Sequence, residues 1–252
     1  MQLYIYKDYE ALSLDAANEI LATVKNNPAA VLCLATGDTP KLAYKILVEK
    51  ALDEKIDFSA CTFIGLDEWI GIPPDKEGSC RFFLESRIFK PLQIHHSQVQ
   101  LFDGLSADLA AECDKVNRAI REGGGIDLML VGVGMNGHIG FNEPGVLPDQ
   151  HAHVINLEDI TQSVGQKYFA DSVSIRQGIT LGLKQVLQSE KLIMMANGVK
   201  KAEVMQKALQ GSISSDLPAS IIRTHLQALA MIDEAAAGLL NLETLPEEVV
   251  YG

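Results

Sequence analysis

Residues 29–52, AAVLCLATGDTPKLAYKILVEKAL, decide the fold predicted for this chain. The first seven residues, 29–35, are apolar on both faces, which is typical of a strand buried inside a parallel sheet. Residues 36–40 (TGDTP) then predict a turn that leads into a helix, because Pro40 suits the first turn of a helix. Residues 41–52 continue with helical spacing of their apolar side chains. The stretch therefore predicts a strand, a glycine turn and a helix.

The same alternation of strands and helices continues on both sides of this stretch. Strands are predicted at residues 2–6, 61–66, 126–131, 191–196 and 228–232, and helices at 8–25, 79–89, 107–122 and 200–210. This order predicts an α/β fold, a single Rossmann-like domain over residues 1–252 with an open, mainly parallel sheet and helices on both faces. The acidic tail, residues 242–252, is expected at the periphery.

Composition and charge restrict the function. The 252 residues are 47% hydrophobic, which is enough for a sizeable core, and 33 acidic against 21 basic side chains give a net charge of −12. An acidic surface argues against nucleic acid and anionic membranes as partners, but local donors can still bind a small anion. The four cysteines form no CxxC pair, so we expect free thiols and a cytoplasmic location. No secretory signal or membrane span is recognisable.

Three loops directly follow predicted strands, at the sheet edge where such folds bind ligands. In the first, Gly37 allows close backbone approach, Thr36 and Thr39 add hydroxyls, and the following helix N-terminus favours a phosphate. Asp38 would repel a phosphate unless its side chain turns away. The alternative is an ordinary capped helix after a glycine turn. Lys201, after a later strand, is a further anion ligand or a solvated helix lysine.

The second loop is residues 66–69 (LDEW), where two acids and the only tryptophan follow a buried strand. A partly desolvated carboxylate at Asp67 can act as a general base. The alternative is a helix cap beside a structural tryptophan.

The third loop, residues 132–145 (GVGMNGHIGFNEPG), is dense in glycine. Such glycines are typical of a loop that wraps a ligand. It contains Asn136, His138 and Glu143, and histidine with a polar partner is the usual proton shuttle. The alternative is a structural loop with a surface histidine. The pair His151 and His153 lacks a suitably spaced third ligand, so no metal site is predicted.

Five segments together resemble the glucosamine-6-phosphate deaminase/isomerase family: LATGDTP (34–40), LDEW (66–69), GVGMNGHIGFNEP (132–144), GVKKAE (198–203) and LPASIIRTH (217–225). The resemblance implies conversion of a hexosamine 6-phosphate and water into a ketohexose 6-phosphate and ammonia, with no metal or organic cofactor. It implies that Asp67 is the base of the enolisation, that His138 moves the proton in ring opening, and that Glu143 is its carboxylate partner. Asn136 stands where some members have Asp, which implies orientation by hydrogen bonding.

The resemblance also assigns the phosphate to the loop of Thr36, Gly37, Asp38 and Thr39 together with Lys201. Lys167 stands where well-studied members have an arginine, so it keeps the charge but loses the bidentate fork. Arg176, slightly further along the chain, is the alternative. The stretch after Glu143 lacks the basic pattern of the allosteric site of hexameric members. The family includes monomers and hexamers, so the resemblance allows a homo-oligomer.

Other stretches look closer to the galactosamine-6-phosphate isomerase/deaminase branch: AVLCLATGDTP (30–40), EGSCRFFL (77–84) and RQGITLGLKQVL (176–187). They favour galactosamine 6-phosphate over its C4 epimer, glucosamine 6-phosphate. The alternatives from other classes are a 6-phosphogluconolactonase-like hydrolase and a sugar-phosphate sensor. The HIGFNEP continuation and LDEW weigh against the lactonase, and the absence of a basic helix-turn-helix segment weighs against the sensor.

Overall fold

The computed structural model describes residues 1–244 and 249–252. The strands are β1 (Gln2–Tyr6), β2 (Val31–Leu34), β3 (Thr62–Ile64), β4 (Asp67–Trp69), β5 (Val99–Gln100), β6 (Leu128–Gly132), β7 (His153–Asn156), β8 (Gln177–Thr180), β9 (Lys191–Ala196), β10 (Ala228–Asp233) and β11 (Val249–Tyr251). The α-helices are α1 (Tyr9–Asn26), α2 (Lys41–Asp53), α3 (Cys80–Leu84), α4 (Leu109–Glu122), α5 (Asp159–Gly165), α6 (Leu183–Gln188), α7 (Ala202–Gln210), α8 (Pro218–Ile221) and α9 (Glu234–Ala237).

Eight strands form one parallel sheet in the order β11-β1-β10-β9-β6-β2-β3-β5. All of β2 and the first four residues of β6 are buried, as apolar residues on both faces require. Helices cover both faces, so the predicted single-domain α/β fold is confirmed. The carboxyl ends of β2, β6 and β9 therefore lie side by side, which brings together the loops that follow them.

The predicted elements are present with shifted ends. The helix predicted at 8–25 begins at Tyr9 because the Asp8 carboxylate accepts a hydrogen bond from Ala11 N–H at 2.8 Å. The helix predicted at 107–122 begins at Leu109, with Asp108 as its cap. The helix predicted at 200–210 begins at Ala202, after a 3₁₀ turn at Val199–Lys201.

The helix predicted at 79–89 is divided. Cys80–Leu84 is α-helical and Glu85–Phe89 forms a π-helical turn. This turn closes with a hydrogen bond from Lys90 N–H to the Glu85 carbonyl at 2.9 Å. Pro91 follows and has no N–H with which to continue the helix.

A second, antiparallel sheet of order β4-β8-β7 was not predicted. Its strands have three or four residues, which is too few for a clear alternating pattern. The residues interpreted as a loop after β3 form β4, in which Asp67 pairs with Thr180. Below it Trp69, Phe141 and Phe169 form a separate apolar cluster. This sheet holds Asp67 at the carboxyl edge of the main sheet.

The predicted peripheral tail is only partly described, because residues 245–248 lie outside the described residues. Leu242–Thr244 forms a 3₁₀ turn, and β11 pairs with β1 as the edge of the main sheet. All four cysteines are buried and free. None of the helices in the described parts of the chain has the length and apolar character that crossing a membrane requires.

Candidate active site

A cavity of about 720 Å³ opens at the carboxyl ends of β2, β6 and β9. It is bounded by the loops after these strands, by β4, and by α5 with the turn that follows it. Eight of the ten predicted site residues line it: Thr36, Gly37, Asp38, Thr39, Asp67, His138, Lys167 and Lys201. The two others, Asn136 and Glu143, lie behind His138.

The loop between β2 and α2 forms one end of the cavity. Gly37 has φ +106°, and a Cβ there would lie 3.1 Å from the Tyr168 hydroxyl oxygen, so glycine is required by both conformation and space. The Tyr9 hydroxyl donates to the Thr39 carbonyl at 2.8 Å and ties the loop to α1. Within the described residues, the N–H groups of Gly37 and Thr39 donate to no protein acceptor. They are available to an anion at the start of α2.

The Asp38 carboxylate, which was expected to repel a phosphate, is neutralised by two lysines. Its oxygens lie 2.6 Å from Lys167 Nζ and 2.5 Å from Lys41 Nζ. Partial burial alone would raise the pKa of Asp38, but the two ammonium groups outweigh it and lower this pKa. The same contact raises the pKa of Lys167 against the effect of its own partial burial. Asp38 thus positions a lysine at the cavity.

Lys167 and Arg176 were alternatives for completing the phosphate site. Lys167 lines the cavity beside the loop at Gly37. Arg176 is exposed and is not part of the cavity wall. The geometry therefore places Lys167 in the position in which a cation can contact a bound anion.

Lys201 approaches the cavity from the start of α7. Its Nζ donates to the Val133 carbonyl at 2.5 Å, which directs the ammonium group toward the loop after β6. Burial, with a smaller contribution from nearby Lys167, lowers the pKa of Lys201 to about 8. A bound phosphate would offset the desolvation that this lysine experiences.

Asp67, the first residue of β4, also lines the cavity. Its Oδ1 accepts a hydrogen bond from the Cys80 thiol at 3.3 Å, and the Thr36 hydroxyl donates to Cys80 Sγ at 3.4 Å. Burial raises the pKa of Asp67, the hydrogen bond from the Cys80 thiol lowers it, and the charge of neighbouring Glu68 raises it by a smaller amount, so that together they set the pKa at about 7. A carboxylate with this pKa can both accept and return a proton at neutral pH.

The Glu68 side chain fixes the backbone next to Asp67 by hydrogen bonds. Its carboxylate accepts hydrogen bonds from the N–H groups of Trp69 at 2.9 Å, Cys80 at 3.0 Å and Arg81 at 2.9 Å. Two of these donors begin α3, so Glu68 satisfies the N-terminus of that helix. The expectation that one acid of LDEW acts as a helix cap therefore applies to Glu68, while Asp67 is free to face the cavity.

His138 is held by a hydrogen-bond network in the loop after β6. Its Nδ1 lies 2.7 Å from Asn136 Oδ1, 3.2 Å from Thr161 Oγ1 and 3.6 Å from Glu143 Oε2. Asn136 Nδ2 in turn donates to Glu143 Oε2 at 2.7 Å. Gly134 makes room for the ring, since a Cβ there would lie 2.2 Å from its nearest atom.

Glu143 is buried behind this network. Burial alone would raise the pKa of Glu143, but hydrogen bonds from His138, Thr161 and Asn136 outweigh it and lower the pKa. Glu143 is therefore a carboxylate at neutral pH. Because Asn136 Oδ1 can only accept, the proton of the neutral imidazole lies on Nδ1, and Nε2 remains a proton acceptor.

Four residues that line or contact the site were not predicted as site residues: Cys80, Glu158, Thr161 and Tyr168. Cys80, Thr161 and Tyr168 line the cavity, and Glu158 contacts Asn136. No local pattern distinguishes them, although Cys80 lies within the EGSCRFFL run already noted. Among residues 1–244 and 249–252, no three His, Cys, Asp or Glu side chains converge as metal ligands would.

Comparisons with known proteins find relatives along nearly the whole chain. A family model described as glucosamine-6-phosphate isomerases/6-phosphogluconolactonase matches residues 7–231. The chain is 37% identical over 243 residues to a glucosamine-6-phosphate deaminase of Clostridium perfringens, covering 96% of this chain and all of that one. It is 36% identical over 248 residues to a glucosamine-6-phosphate deaminase of Thermoanaerobacter sp., covering 98% of both.

Solved structures give the same result for the fold. A monomeric glucosamine-6-phosphate deaminase superposes with a TM-score of 0.91 at 35% identity, over 95% of this chain and 100% of that chain. A 6-phosphogluconolactonase from Trypanosoma brucei superposes with a TM-score of 0.72 at 19% identity, over 95% of this chain and 98% of that chain. At this lower identity the likeness concerns the fold alone.

Proposed function

The chain belongs to the glucosamine-6-phosphate isomerase/6-phosphogluconolactonase family, and we propose that it is an isomerising deaminase, which converts a hexosamine 6-phosphate and water into a ketohexose 6-phosphate and ammonia. The observation that carries the proposal is one cavity with Asp67, whose pKa burial raises to about 7, beside His138 and an anion loop with two lysines. A lactone hydrolase needs one base, to activate water, whereas this cavity offers two candidate bases, His138 and Asp67.

The phosphate anchor positions the sugar. The N–H groups of Gly37 and Thr39, with Lys167 and Lys201, bind the phosphate at one end of the cavity. The sugar then extends toward Asp67 and His138. Fixing the phosphate makes the later proton transfers effectively intramolecular.

His138 opens the ring in the first step. Its Nε2 accepts the proton of the C1 hydroxyl and returns a proton to the ring oxygen. The bond between C1 and the ring oxygen breaks as the C1 aldehyde forms. Glu143 and Asn136 stabilise the imidazolium that exists between these two transfers.

Asp67 carries the isomerisation. Its carboxylate removes the C2 proton, which gives an enolamine, and a proton is then returned to C1. The resulting C2 imine adds water, and the C2–N bond breaks to release ammonia and the ketose. This sequence requires no redox step, since hydrogen is only moved from C2 to C1.

The configuration at C4 is the finer part of the proposal. Three stretches of the sequence favour galactosamine 6-phosphate, whereas the curated relatives reported above are named glucosamine-6-phosphate deaminases. These names make glucosamine 6-phosphate the better supported substrate. A preference for galactosamine 6-phosphate stays a prediction.

The experiment measures ammonia release from glucosamine 6-phosphate and galactosamine 6-phosphate, with the ketose identified, and hydrolysis of 6-phosphogluconolactone in parallel. We expect ammonia and ketohexose 6-phosphate in equal amounts from at least one amino sugar. The preferred epimer then decides between fructose 6-phosphate and tagatose 6-phosphate as product. No ammonia from either sugar, with the lactone hydrolysed, would overturn the proposal.

A further inference from the structure

Glu158 contacts the proton-shuttle network from outside the segments that carry the proposed chemistry. We propose that Glu158 is a positioning residue, which acts with Glu143 to fix the amide of Asn136 so that its oxygen faces His138. The inference rests on the proposed function, because His138 is the ring-opening group there.

The contacts match the two ends of the amide. Asn136 Nδ2 carries two N–H bonds and meets two carboxylates, Glu143 Oε2 at 2.7 Å and Glu158 Oε2 at 2.8 Å. Asn136 Oδ1 accepts from the His138 backbone N–H at 3.3 Å and lies 2.7 Å from its Nδ1. The two N–H groups and the oxygen of the Asn136 amide therefore all have hydrogen-bond partners in the network.

The orientation of the amide decides which imidazole nitrogen is a base. In the observed orientation the oxygen accepts from Nδ1–H, which leaves Nε2 free to accept a proton from substrate. The flipped amide would present its NH₂ to Nδ1 and favour the tautomer with the proton on Nε2, which cannot start ring opening. The flip would also point the amide oxygen of Asn136 at the carboxylates of Glu143 and Glu158, which would repel it. Glu143 alone disfavours the flipped amide, and Glu158 disfavours it further.

The same contacts make Asn136 and Glu158 a matched pair. An aspartate at position 136 would bring a third carboxylate against Glu143 and Glu158. In the described part of the chain, His138 is the one basic side chain in an ion-pair contact with either glutamate. Replacing Glu158 with glutamine would remove one charge and provide an NH₂ donor to that aspartate.

The position of Glu158 separates this role from packing. It is exposed and directly precedes α5, which lines the cavity through Thr161 and its neighbours. Its backbone N–H also donates to Glu143 Oε1 at 3.2 Å, so the main chain stays attached when the side chain is changed. Substitutions of the Glu158 side chain therefore test the orientation of the Asn136 amide without creating a cavity in the core.

The first experiment compares Glu158→Ala and Glu158→Gln with the wild type, and with Asp159→Asn as the control. Asp159→Asn removes a negative charge from the adjacent exposed residue without touching Asn136. ¹⁵N NMR of histidine-labelled protein distinguishes the protonated from the unprotonated ring nitrogen of His138. We expect the Nδ1–H tautomer in the wild type and in Asp159→Asn, and a mixture of tautomers in Glu158→Ala.

Kinetics give the second readout. Glu158→Ala should lower kcat about tenfold, the usual scale for a lost hydrogen bond to a charged group, while KM changes less than about twofold because the phosphate anchor is intact. Glu158→Gln should stay within about threefold of the wild type, since its amide oxygen can accept from Asn136 Nδ2. Wild-type kinetics and an unchanged tautomer in Glu158→Ala would overturn the inference.

A double-substitution cycle tests the matched pair directly. Asn136→Asp should lower kcat about 100-fold while Glu158 is present. The double variant Asn136→Asp with Glu158→Gln should have a kcat about tenfold higher than that of Asn136→Asp alone. Additive effects would overturn the pairing. If the wild type releases no ammonia but the tautomer of His138 still depends on Glu158, the proposed function fails while the positioning role of Glu158 stands.

Discussion

At the scale of single residues, burial gives Asp67 the properties of a base that works at neutral pH. Its pKa is raised to about 7, whereas Asp38 in the same cavity has a lowered pKa because two lysines neutralise it. Two aspartates of one cavity thus have different roles. In the proposed function Asp67 transfers protons, whereas Asp38 positions a cation.

The pH dependence of kcat/KM follows from Asp67. The base must be deprotonated, so activity should fall tenfold per pH unit as the pH decreases below about 7. Cys80→Ala removes the thiol that lowers this pKa and should move the acidic limb to higher pH. Cys80→Ser keeps a donor and is the control. An acidic limb at the same pH in Cys80→Ala would contradict the role of the thiol.

The raised pKa of Asp67 also lowers stability. The folded state binds the proton more tightly than the unfolded state, whose ordinary pKa is 3.8, so the free energy of unfolding falls as the pH rises from about 4 to about 7. Asp67→Asn should therefore raise the free energy of unfolding at pH 8 by on the order of 1–4 kcal/mol and change it little at pH 4. Urea unfolding at both pH values measures this. A stabilisation that is equal at both would refute the linkage.

At the scale of elements, the anion site depends on the loop between β2 and α2 and on the start of α7. Lys201→Ala should raise KM for the sugar phosphate, and the inhibition constant of inorganic phosphate, about tenfold or more, as expected for a lost hydrogen bond between charged groups. Lys207→Ala, on the exposed face of the same helix, is the matched control. Unchanged phosphate affinity in Lys201→Ala would remove it from the site.

Some secondary-structure elements can be predicted from the sequence, and others cannot. Buried parallel strands are readable because both faces are apolar, and the carboxyl-end rule then brings Thr36, Asp67 and His138 together. The antiparallel sheet around β4 has strands too short to show a pattern. The contacts of Cys80 with Asp67, and of Glu158 with Asn136, join residues 13 and 22 positions apart, so they depend on the folded loops.

At the scale of the whole molecule, the main sheet ends at β11 on one side. Three residue pairs join β11 to β1, and Gly252 N–H adds a hydrogen bond to the Ile5 carbonyl at 3.1 Å. In the strand order, β1 and β10 separate this edge from β9, the nearest of the three strands whose carboxyl ends bound the cavity. Stability and activity should therefore respond separately to changes at this edge.

A chain ended after residue 248 tests this separation. It leaves the backbone groups of β1 unpaired, so the free energy of unfolding should fall by about 1–3 kcal/mol and self-association should increase. The kcat should not change. Tyr251→Thr, which keeps the backbone pairing, is the control. Loss of activity in a truncated chain that remains folded and monomeric would show that the edge and the cavity are coupled.

The buried, free thiols agree with the expectation of a reducing compartment, and location itself stays a prediction. Oligomeric state stays a prediction as well. The structure at 35% identity is described as that of a monomeric deaminase. Sedimentation of the full chain measures this property directly.

The proposed function requires that Asp67 remove the C2 proton of a hexosamine 6-phosphate. Proton NMR of glucosamine 6-phosphate or galactosamine 6-phosphate in D₂O, with the wild type and Asp67→Asn side by side, tests it most directly. The C2 hydrogen signal should disappear with the wild type. With Asp67→Asn, which should still bind inorganic phosphate, it should disappear at least about 1,000-fold more slowly. Loss of the C2 hydrogen at the wild-type rate in Asp67→Asn would show that Asp67 is not the base.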